Sequence, residues 1–377
     1  MKAASFPKRR FFYVILVLVL VVAGGLSWYL RRAATNIQNV ILISIDTCRA
    51  DHLSCYGFER QTTPHIDEIA GQGIIYKKAR TPVPLTLPAH CSMLTGTFPP
   101  YHRVHDNINT KLDESQVTLA EILQENGFAT GAVVSSIVLQ NKFGVGQGFK
   151  VFQDQFDTVT DSYSLVERQG GQASQLAGDF LTRHQNEPFF LFLHYFDPHD
   201  AYEPPEPFAS RYADDLYSGE IAYTDHCIGQ VIDQLKDLEL YDSTLIIIVG
   251  DHGEALGEHG ETTHGYYIYQ STIHVPFIIR APGIDQPKEV EQTVSLVDVA
   301  PTILGYLDIP APAHMQGEDL SAYSRKRNQV DSDREVYTES LIPTKFGCNP
   351  FLGVVNDRWS YIYTNHTELY DLQQDPQ

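Results

Sequence analysis

The chain has 377 residues, of which 43% are hydrophobic and 20% charged, so it is long and apolar enough to bury a large core and is not intrinsically disordered. Its 47 Asp and Glu residues outnumber its 27 Lys and Arg residues, which gives a formal net charge of −20 at pH 7. Such an acidic chain excludes nucleic acid as a partner, because its surface repels the phosphate backbone.

The N-terminal segment differs from everything after it. Residues 11–30 form an uncharged apolar run of 20, about the length that a helix needs to cross a bilayer. Four basic residues precede this run and two follow it, which predicts a cytoplasmic tail over 1–10, a single membrane anchor over 11–30 and a linker over 31–38. The remainder is then periplasmic or extracellular. The alternative is a cleaved signal peptide, but the run is long for one and no clear Ala-x-Ala site follows it.

The predicted exported part is more acidic than the whole chain. Residues 1–32 hold six basic and no acidic side chains, so the remainder has a formal charge of −26. A local cation is therefore needed wherever an anionic substrate binds. The five cysteines are an odd number without Cys-x-x-Cys spacing, which favours neither a disulfide framework nor a zinc finger.

Continuous apolar runs alternate with helical patterns from residue 39 to residue 330. Runs of this kind are typical of parallel strands that are buried on both faces. The predicted fold class is α/β, with a doubly wound, mostly parallel sheet and helices on both of its faces. Residues 331–377 contain shorter runs separated by turn residues, which predicts a small C-terminal antiparallel sheet. The five apolar runs that we predict to be strands are 39–46, 127–135, 188–196, 243–251 and 274–283.

Polar residues follow several of these runs. Asp46 ends the first run, Asp251 and His252 end the fourth, and His199 follows the third. Asp46 alone would be interpreted as a helix cap or a turn residue. However, the carboxyl ends of parallel strands meet at one edge of a sheet, where two carboxylates and an imidazole would need a divalent cation between them. Calcium, manganese or zinc would suit these ligands.

The stretch TLPAHCSMLTG, residues 86–96, predicts a short helix. Pro88 suits its first turn and Gly96 the position after its end, so we expect a helix over 88–95 with Thr86 at or just before its start. Free backbone N–H groups there would stabilise both a threonine alkoxide and an anionic ester. The alternative is that Thr86 serves only as a helix cap.

Seven segments, in order, resemble the sulfatase family of the alkaline phosphatase superfamily. The resemblance covers nearly everything after residue 38 and implies a catalytic domain over 39–330 and a C-terminal subdomain over 331–377, which family members often extend. The seven segments are IDTCRADHLSCYG (45–57), TPHIDEIA (63–70), TLPAHCSMLTG (86–96), FLHYFDPHDAYEPP (191–205), VGDHGEALGEHG (249–260), HGYYIYQSTIHVPFIIRAPG (264–283) and ELYDLQQDP (368–376).

The resemblance places Thr86 at the nucleophile position of the family. Sulfatases carry a cysteine there that is converted to formylglycine, within a Cys-x-Pro-Ser-Arg signature. Here Pro88 matches the proline and His90 replaces the arginine. Cys91 has neither partner at the required spacing and is interpreted as a packing residue. We therefore expect no formylglycine.

The resemblance also implies the remaining site residues. The metal ligands map to Asp46, Asp251 and His252, with Thr86 as an additional contact, whereas the second aspartate of the family is Thr47 here. His199 matches a histidine that contacts substrate, and His264 occupies a position where a lysine often lies, so both are assigned catalytic roles. His90 and Asn107 are assigned to substrate binding.

A threonine nucleophile favours phosphoryl over sulfuryl chemistry. A sulfated formylglycine hydrate expels sulfate through its second hydroxyl, which threonine lacks, whereas a phosphorylated threonine is discharged by in-line attack of water. The sequence thus predicts a membrane-anchored, metal-dependent hydrolase of phosphate or sulfate esters carried by a glycan or a lipid, with phosphate esters preferred. The alternatives are a phosphoethanolamine or glycerophosphate transferase acting on the envelope, and a non-catalytic binding relative.

Overall fold

A computed structural model describes Tyr13 and residues 37–156, 167–284, 286–325 and 334–375. The main sheet contains nine strands in the described part of the chain. These are β1 (Asn39–Ile45), β2 (Ile74–Arg80), β3 (Ala129–Val133), β4 (Val151–Gln153), β5 (Phe189–Tyr195), β6 (Thr244–Gly250), β7 (His274–Val275), β8 (Phe277–Arg280) and β9 (Lys288–Ser295).

Helices connect most of these strands. The α-helices are α1 (Pro64–Ala70), α2 (Thr86–Thr95), α3 (Pro99–His102), α4 (Leu119–Glu125), α5 (Gly170–His184), α6 (Phe208–Arg211), α7 (Leu216–Asp237), α8 (Gln270–Ile273), α9 (Val299–Tyr306) and α10 (Ala322–Arg325). Short 3-10 turns lie at Ala50–His52, Ser54–Tyr56, Ile137–Leu139, Asn141–Phe143, Tyr241–Ser243, Glu258–Gly260, Leu296–Asp298 and Ile342–Phe346.

The sheet is mostly parallel and covered on both faces, as the sequence predicts. Its strand order is β4-β3-β5-β1-β6-β8-β2-β7, with β9 pairing with β2. The first five strands in this spatial order, β4, β3, β5, β1 and β6, are parallel to one another. Along β1, alternate side chains enter two separate hydrophobic clusters, one with Val40 and Leu42 and the other with Ile41, Ile43 and Ile45. The fold class is therefore the predicted α/β class.

The expected parallel pairing is wrong for one apolar run. Residues 274–283 contain two short strands, and both β7 and β8 pair antiparallel with their neighbours. The run is interrupted at Pro276, which has no N–H group to donate within a sheet. A continuous apolar run indicates burial on both faces, but it carries no information about strand direction.

A separate four-stranded antiparallel sheet follows, as the sequence predicts for the C-terminal segment. Its strands are β10 (Val336–Ser340), β11 (Phe351–Val355), β12 (Trp359–Tyr363) and β13 (Glu368–Asp371). Val336, Val355 and Ile362 form a small core with Ile268 and Ile273 of the main domain, so this sheet packs beside the segment after β6.

The anchor predicted over 11–30 lies outside the described residues apart from Tyr13. Among the residues that the structure describes, no helix combines the length and the apolar character required to cross a membrane.

Candidate active site

Two buried carboxylates and one imidazole meet at the carboxyl edge of the main sheet. Asp46 directly follows β1 and Asp251 directly follows β6, and these strands are parallel neighbours with Ile45 opposite Gly250. The Nε2 atom of His252 lies 3.5 Å from Oδ1 of Asp46 and 3.5 Å from Oδ2 of Asp251. All three side chains are fully buried. The structure thus brings together the three predicted metal ligands.

The protons and lone pairs of this cluster suit a divalent cation. Oδ1 of Asp251 accepts hydrogen bonds from the backbone N–H groups of Thr47 (3.2 Å) and His252 (2.7 Å). No donor among the described residues reaches its other oxygen, Oδ2. The His252 Nδ1–H group donates to the Gly253 carbonyl at 3.0 Å, which leaves the lone pair of Nε2 directed at the carboxylates. Two oxygens and one imidazole nitrogen form a suitable donor set.

The charges of the cluster also favour a cation. Burial would raise the pKa of Asp46, but the imidazoles of His194 and His252 hold it below its ordinary value. Burial raises the pKa of Asp251 well above its ordinary value, and the charge of Asp46 raises it further. Two buried carboxylates this close do not both ionise readily by themselves. A bound divalent cation would keep both of them charged.

Thr86 lies against this cluster at the start of helix α2. The helix begins at Thr86, two residues earlier than predicted, and ends before Gly96, which adopts the left-handed conformation. The Thr86 hydroxyl oxygen is 3.5 Å from both carboxylate oxygens of Asp46 and 3.4 Å from Nε2 of His252. Its side chain is therefore within reach of whatever the three ligands bind.

A cavity of about 580 Å³ opens onto Thr86, and Asn107 forms part of its wall. The amide oxygen of Asn107 accepts a hydrogen bond of 2.8 Å from the backbone N–H of Leu87, next to Thr86. Its NH2 group would then be left to donate to an anionic ester, and the substrate-binding role of Asn107 stays a prediction.

The C-terminal sheet supports the loop that carries Asn107. Nδ1 of His105 and the hydroxyl of Tyr337 donate to the two oxygens of the buried Glu339 carboxylate, at 2.5 Å and 2.6 Å. The backbone N–H of Glu339 donates to Pro82 O, shortly before Thr86 in the chain. Strand β10 therefore helps to position the loop and the approach to helix α2.

His199 and His264 lie near the three candidate metal ligands, because the ring centroid of His264 is 4.4 Å from that of His252 and the His264 ring contacts His199. His199 lines the cavity, and its Nδ1–H donates to Asp200 O at 2.7 Å, which leaves Nε2 to exchange a proton. The Nδ1 of His264 is 3.2 Å from Oε1 of the buried Glu254. Burial would lower the pKa of His264, but the Glu254 carboxylate raises it above the ordinary value. The two rings are in edge contact, with centroids 5.1 Å apart.

His90 is placed differently from the predicted substrate contact. It is fully buried beneath Thr86, where its Nδ1–H donates to Thr86 O at 2.7 Å and its Nε2 accepts from the Ser44 hydroxyl at 2.8 Å. Burial lowers its pKa to about 3, so the ring is neutral. Because both nitrogens already have partners inside the fold, this placement favours a role in holding Thr86 rather than contact with substrate.

His194 is a site residue that sequence reasoning missed. It lies on β5 opposite Ser44, and its Nδ1 accepts the N–H of Ser135 at 3.3 Å, so Nε2 carries the proton. This Nε2 is 3.4 Å from Oδ2 of Asp46 and is suited to orient that carboxylate. The signal in the sequence was a single histidine within the apolar run PFFLFLHYF.

A second group of side chains is close enough together to hold a metal ion, but the positions of its protons argue against this. His90, His194 and Asp251 have side-chain atoms close enough to surround an ion. However, the nitrogens that face Asp251 and Asp46 are Nδ1 of His90 and Nε2 of His194, and the hydrogen bonds above place a proton on each of them. A protonated nitrogen has no lone pair for a metal. Among the described residues, Asp46, Asp251 and His252 are therefore the better candidate set of ligands for a metal ion.

Comparisons with known proteins agree with this geometry. The family model described as Sulfatase matches residues 38–309, and the model described as N-sulphoglucosamine sulphohydrolase, C-terminal, matches residues 257–377. The chain is 24% identical to an N-acetylgalactosamine-6-O-sulfatase of Bacteroides thetaiotaomicron, over 90% of this chain and 88% of that protein. It is also 24% identical to an arylsulfatase of Clostridium perfringens, over 90% of this chain and 88% of that protein.

Solved structures share the fold. A putative sulfatase yidJ from Bacteroides fragilis superposes with a TM-score of 0.77 at 21% identity, and the match covers 90% of each chain. A phosphonate monoester hydrolase of Agrobacterium radiobacter superposes with a TM-score of 0.74 at 20% identity, again over 90% of each chain.

Proposed function

The chain belongs to the sulfatase family of ester hydrolases, and from this premise we propose that it is a metal-dependent hydrolase that uses Thr86 as its nucleophile and prefers phosphate to sulfate esters. The observation that carries the proposal is the position of the Thr86 hydroxyl, 3.5 Å from Asp46 and 3.4 Å from His252 at the floor of a cavity. Sulfatases are among the relatives and phosphonate monoester hydrolases among the structural neighbours, so this fold supports hydrolysis at sulfur and at phosphorus.

In the first step, the Thr86 oxygen, whose proton has left to solvent, attacks phosphorus while the bond from phosphorus to the leaving oxygen breaks. A divalent cation held by Asp46, Asp251 and His252 would stabilise the threonine alkoxide and the anionic ester oxygens. Nε2–H of protonated His199 gives its proton to the leaving alcohol, while His264, whose pKa the Glu254 carboxylate raises, donates a hydrogen bond to an ester oxygen.

In the second step, water attacks the phosphoryl group on Thr86. A new bond forms from the water oxygen to phosphorus, the bond from Thr86 to phosphorus breaks, and neutral His199 takes the proton of the water. Thr86 is released as the alkoxide and His199 is again protonated. A sulfated threonine would require the same attack at sulfur without the second hydroxyl that formylglycine supplies, and for this reason we propose the phosphate preference.

A panel of substrates tests this function. We expect the purified full-length chain in detergent, supplied in turn with manganese, zinc or calcium, to hydrolyse 4-nitrophenyl phosphate or bis(4-nitrophenyl) phosphate at least about tenfold faster than 4-nitrophenyl sulfate. Faster release of nitrophenol from the sulfate ester would contradict the phosphate preference. Turnover in water alone would indicate a hydrolase, whereas product that forms only with an added alcohol would indicate the transferase alternative.

We also propose that residues 11–30 anchor the protein in a membrane with the catalytic part outside the cytoplasm, because basic residues flank this apolar run unequally. Protease added to cells whose outer layer has been permeabilised is expected to digest the catalytic part. Complete protection of that part under these conditions would reverse the proposed orientation.

A further inference from the structure

The wall of the cavity above Thr86 has a marked chemical character. Five of its eleven lining residues are apolar and come from several separate parts of the chain, and most of the exposed lining surface is apolar. The apolar members are Ile108, Ile137, Val138, Phe143 and Phe196. They come from the loop that carries Asn107, from the two 3-10 turns after β3 and from the end of β5, so the tertiary fold brings them together.

We infer that this cavity takes the alcohol part of the ester and that this alcohol is apolar, with an aromatic or alkyl body, rather than a sugar. The inference rests on the proposed function, because it assumes that the ester group lies at Thr86. It adds the substrate class, which the sulfatase-family fold leaves open.

The distribution of polar groups supports this assignment. Thr86, Asn107 and His199 belong to the end where the ester reacts. Asn109 and Lys142 are exposed and so belong to the mouth of the cavity, and the buried Ser136 is the one remaining polar residue among those that line it. The alcohol would extend between these two ends.

A sugar is a poor fit for the space between them. Most carbon atoms of a sugar carry a hydroxyl group, and each hydroxyl that enters an apolar site without a partner loses its hydrogen bonds to water. The side chains of Ile137, Val138 and Phe143 offer neither donors nor acceptors. An aromatic or alkyl group would instead gain from leaving water there.

Two residues of the wall offer apolar surface to a ligand. Ile108 is 61% exposed and lines the cavity next to Asn107, so an apolar ligand in the cavity would cover it. Phe196 stacks on His199 with ring centroids 4.3 Å apart, so an apolar surface begins directly beside the proposed acid and base. Lys142 supplies the cation that this acidic chain needs at the entrance for an anionic amphiphile.

The test compares primary alcohols of similar leaving ability, so that binding and not alcohol acidity decides the result. The substrates are octyl phosphate, 2-phenylethyl phosphate and glucose 6-phosphate, together with the corresponding sulfate esters, assayed with the full-length metal-loaded chain. We expect kcat/KM for the octyl or phenylethyl ester to exceed that for the sugar ester at least about a hundredfold. The octyl and phenylethyl arms separate an alkyl from an aromatic alcohol.

A pair of matched variants locates the effect. Ile108→Asn is expected to lower kcat/KM about tenfold for the favoured apolar ester and by a smaller factor for the sugar ester, so that the ratio of the two values falls. The control is Leu369→Asn, because Leu369 is 62% exposed on the C-terminal sheet and does not line the cavity. This control is expected to behave as the wild type with every ester.

The outcomes separate the inference from the proposed function. Equal or faster turnover of the sugar esters would overturn the inference and leave the hydrolase function standing. If no ester is turned over, the proposed function fails, and isothermal titration calorimetry with octyl phosphate then decides the inference. Binding that is weakened about tenfold in Ile108→Asn but not in Leu369→Asn would support an apolar site, and equal binding or none would overturn it.

Discussion

Replacement of Thr86 by alanine is expected to lower kcat/KM for the best ester at least about a thousandfold, because it removes the oxygen that forms the covalent intermediate. Thr86→Ser keeps a hydroxyl at the same position and is expected to retain far more activity than the alanine variant. Steady-state kinetics of the two variants side by side would therefore separate the loss of a nucleophile from a general loss of packing.

Cys91→Ala is the matched control within the same helix. Cys91 is fully buried, and burial raises the pKa of its thiol well above the ordinary value, so it carries no thiolate at neutral pH. We expect kcat/KM of Cys91→Ala to stay close to that of the wild type, with a loss of stability on the order of 1 kcal/mol from the small cavity. A large loss of activity in this variant would contradict the assignment of Thr86.

Trapping of the intermediate gives an independent measurement. Mass spectrometry of a quenched turnover of a phosphate ester is expected to place a phosphoryl group on the tryptic peptide 81–103, which contains Thr86. An adduct on another peptide, or full turnover of sulfate esters by Thr86→Ala, would show that neither the nucleophile nor the phosphate preference is correct.

Asp251→Asn is expected to lose bound metal and to lower activity at least about a thousandfold, because it replaces one of only two ligating carboxylates in the cluster. Elemental analysis by mass spectrometry would measure metal per chain, and activity would be followed against added manganese, zinc or calcium. The wild type is expected to show a higher Tm with metal than without it, by an amount that depends on metal concentration relative to Kd. The variant is expected to lose this increase.

Asp233→Asn serves as the control for removal of one negative charge, because the Asp233 side chain is 70% exposed on helix α7. It is expected to retain both metal and activity. Unchanged metal content in Asp251→Asn would refute the ligand assignment. A second equivalent of metal per wild-type chain would contradict the protons that we place on His90 and His194.

Residues that act through their position along a strand or a helix could be predicted from the sequence. Asp46 and Asp251 each follow a buried run, and the edge of a parallel sheet brings such residues together whatever the details of packing. The start of helix α2 was predictable within two residues, because Pro88 and Gly96 restrict the local backbone. The C-terminal sheet was recognisable because its short runs are separated by turn residues.

Where the role of a residue depends on the orientation and protonation of its side chain, only the tertiary structure revealed that role. His90 and His194 bear the same imidazole as His252, yet hydrogen bonds from Ser44 and Ser135 determine which nitrogen carries the proton and therefore which ring can bind a metal. These partners are 46 and 59 residues away along the chain, so no local pattern indicates them.

Three further features were likewise decided by the tertiary structure. They are the direction of β8, the contact of Glu339 with the loop that carries Asn107, and the apolar wall of the cavity. Each depends on contacts between parts of the chain that are distant in sequence, as with the 234 residues that separate His105 from Glu339. Hydrophobic periodicity and turn residues predict the secondary structure of a single segment and which of its faces is buried. They were therefore sufficient to predict the layers of this fold and the strand ends that carry its carboxylates. Which side chains face one another across the site is determined by the packing of those layers, because a pairwise contact has an energy only after folding has brought both partners together.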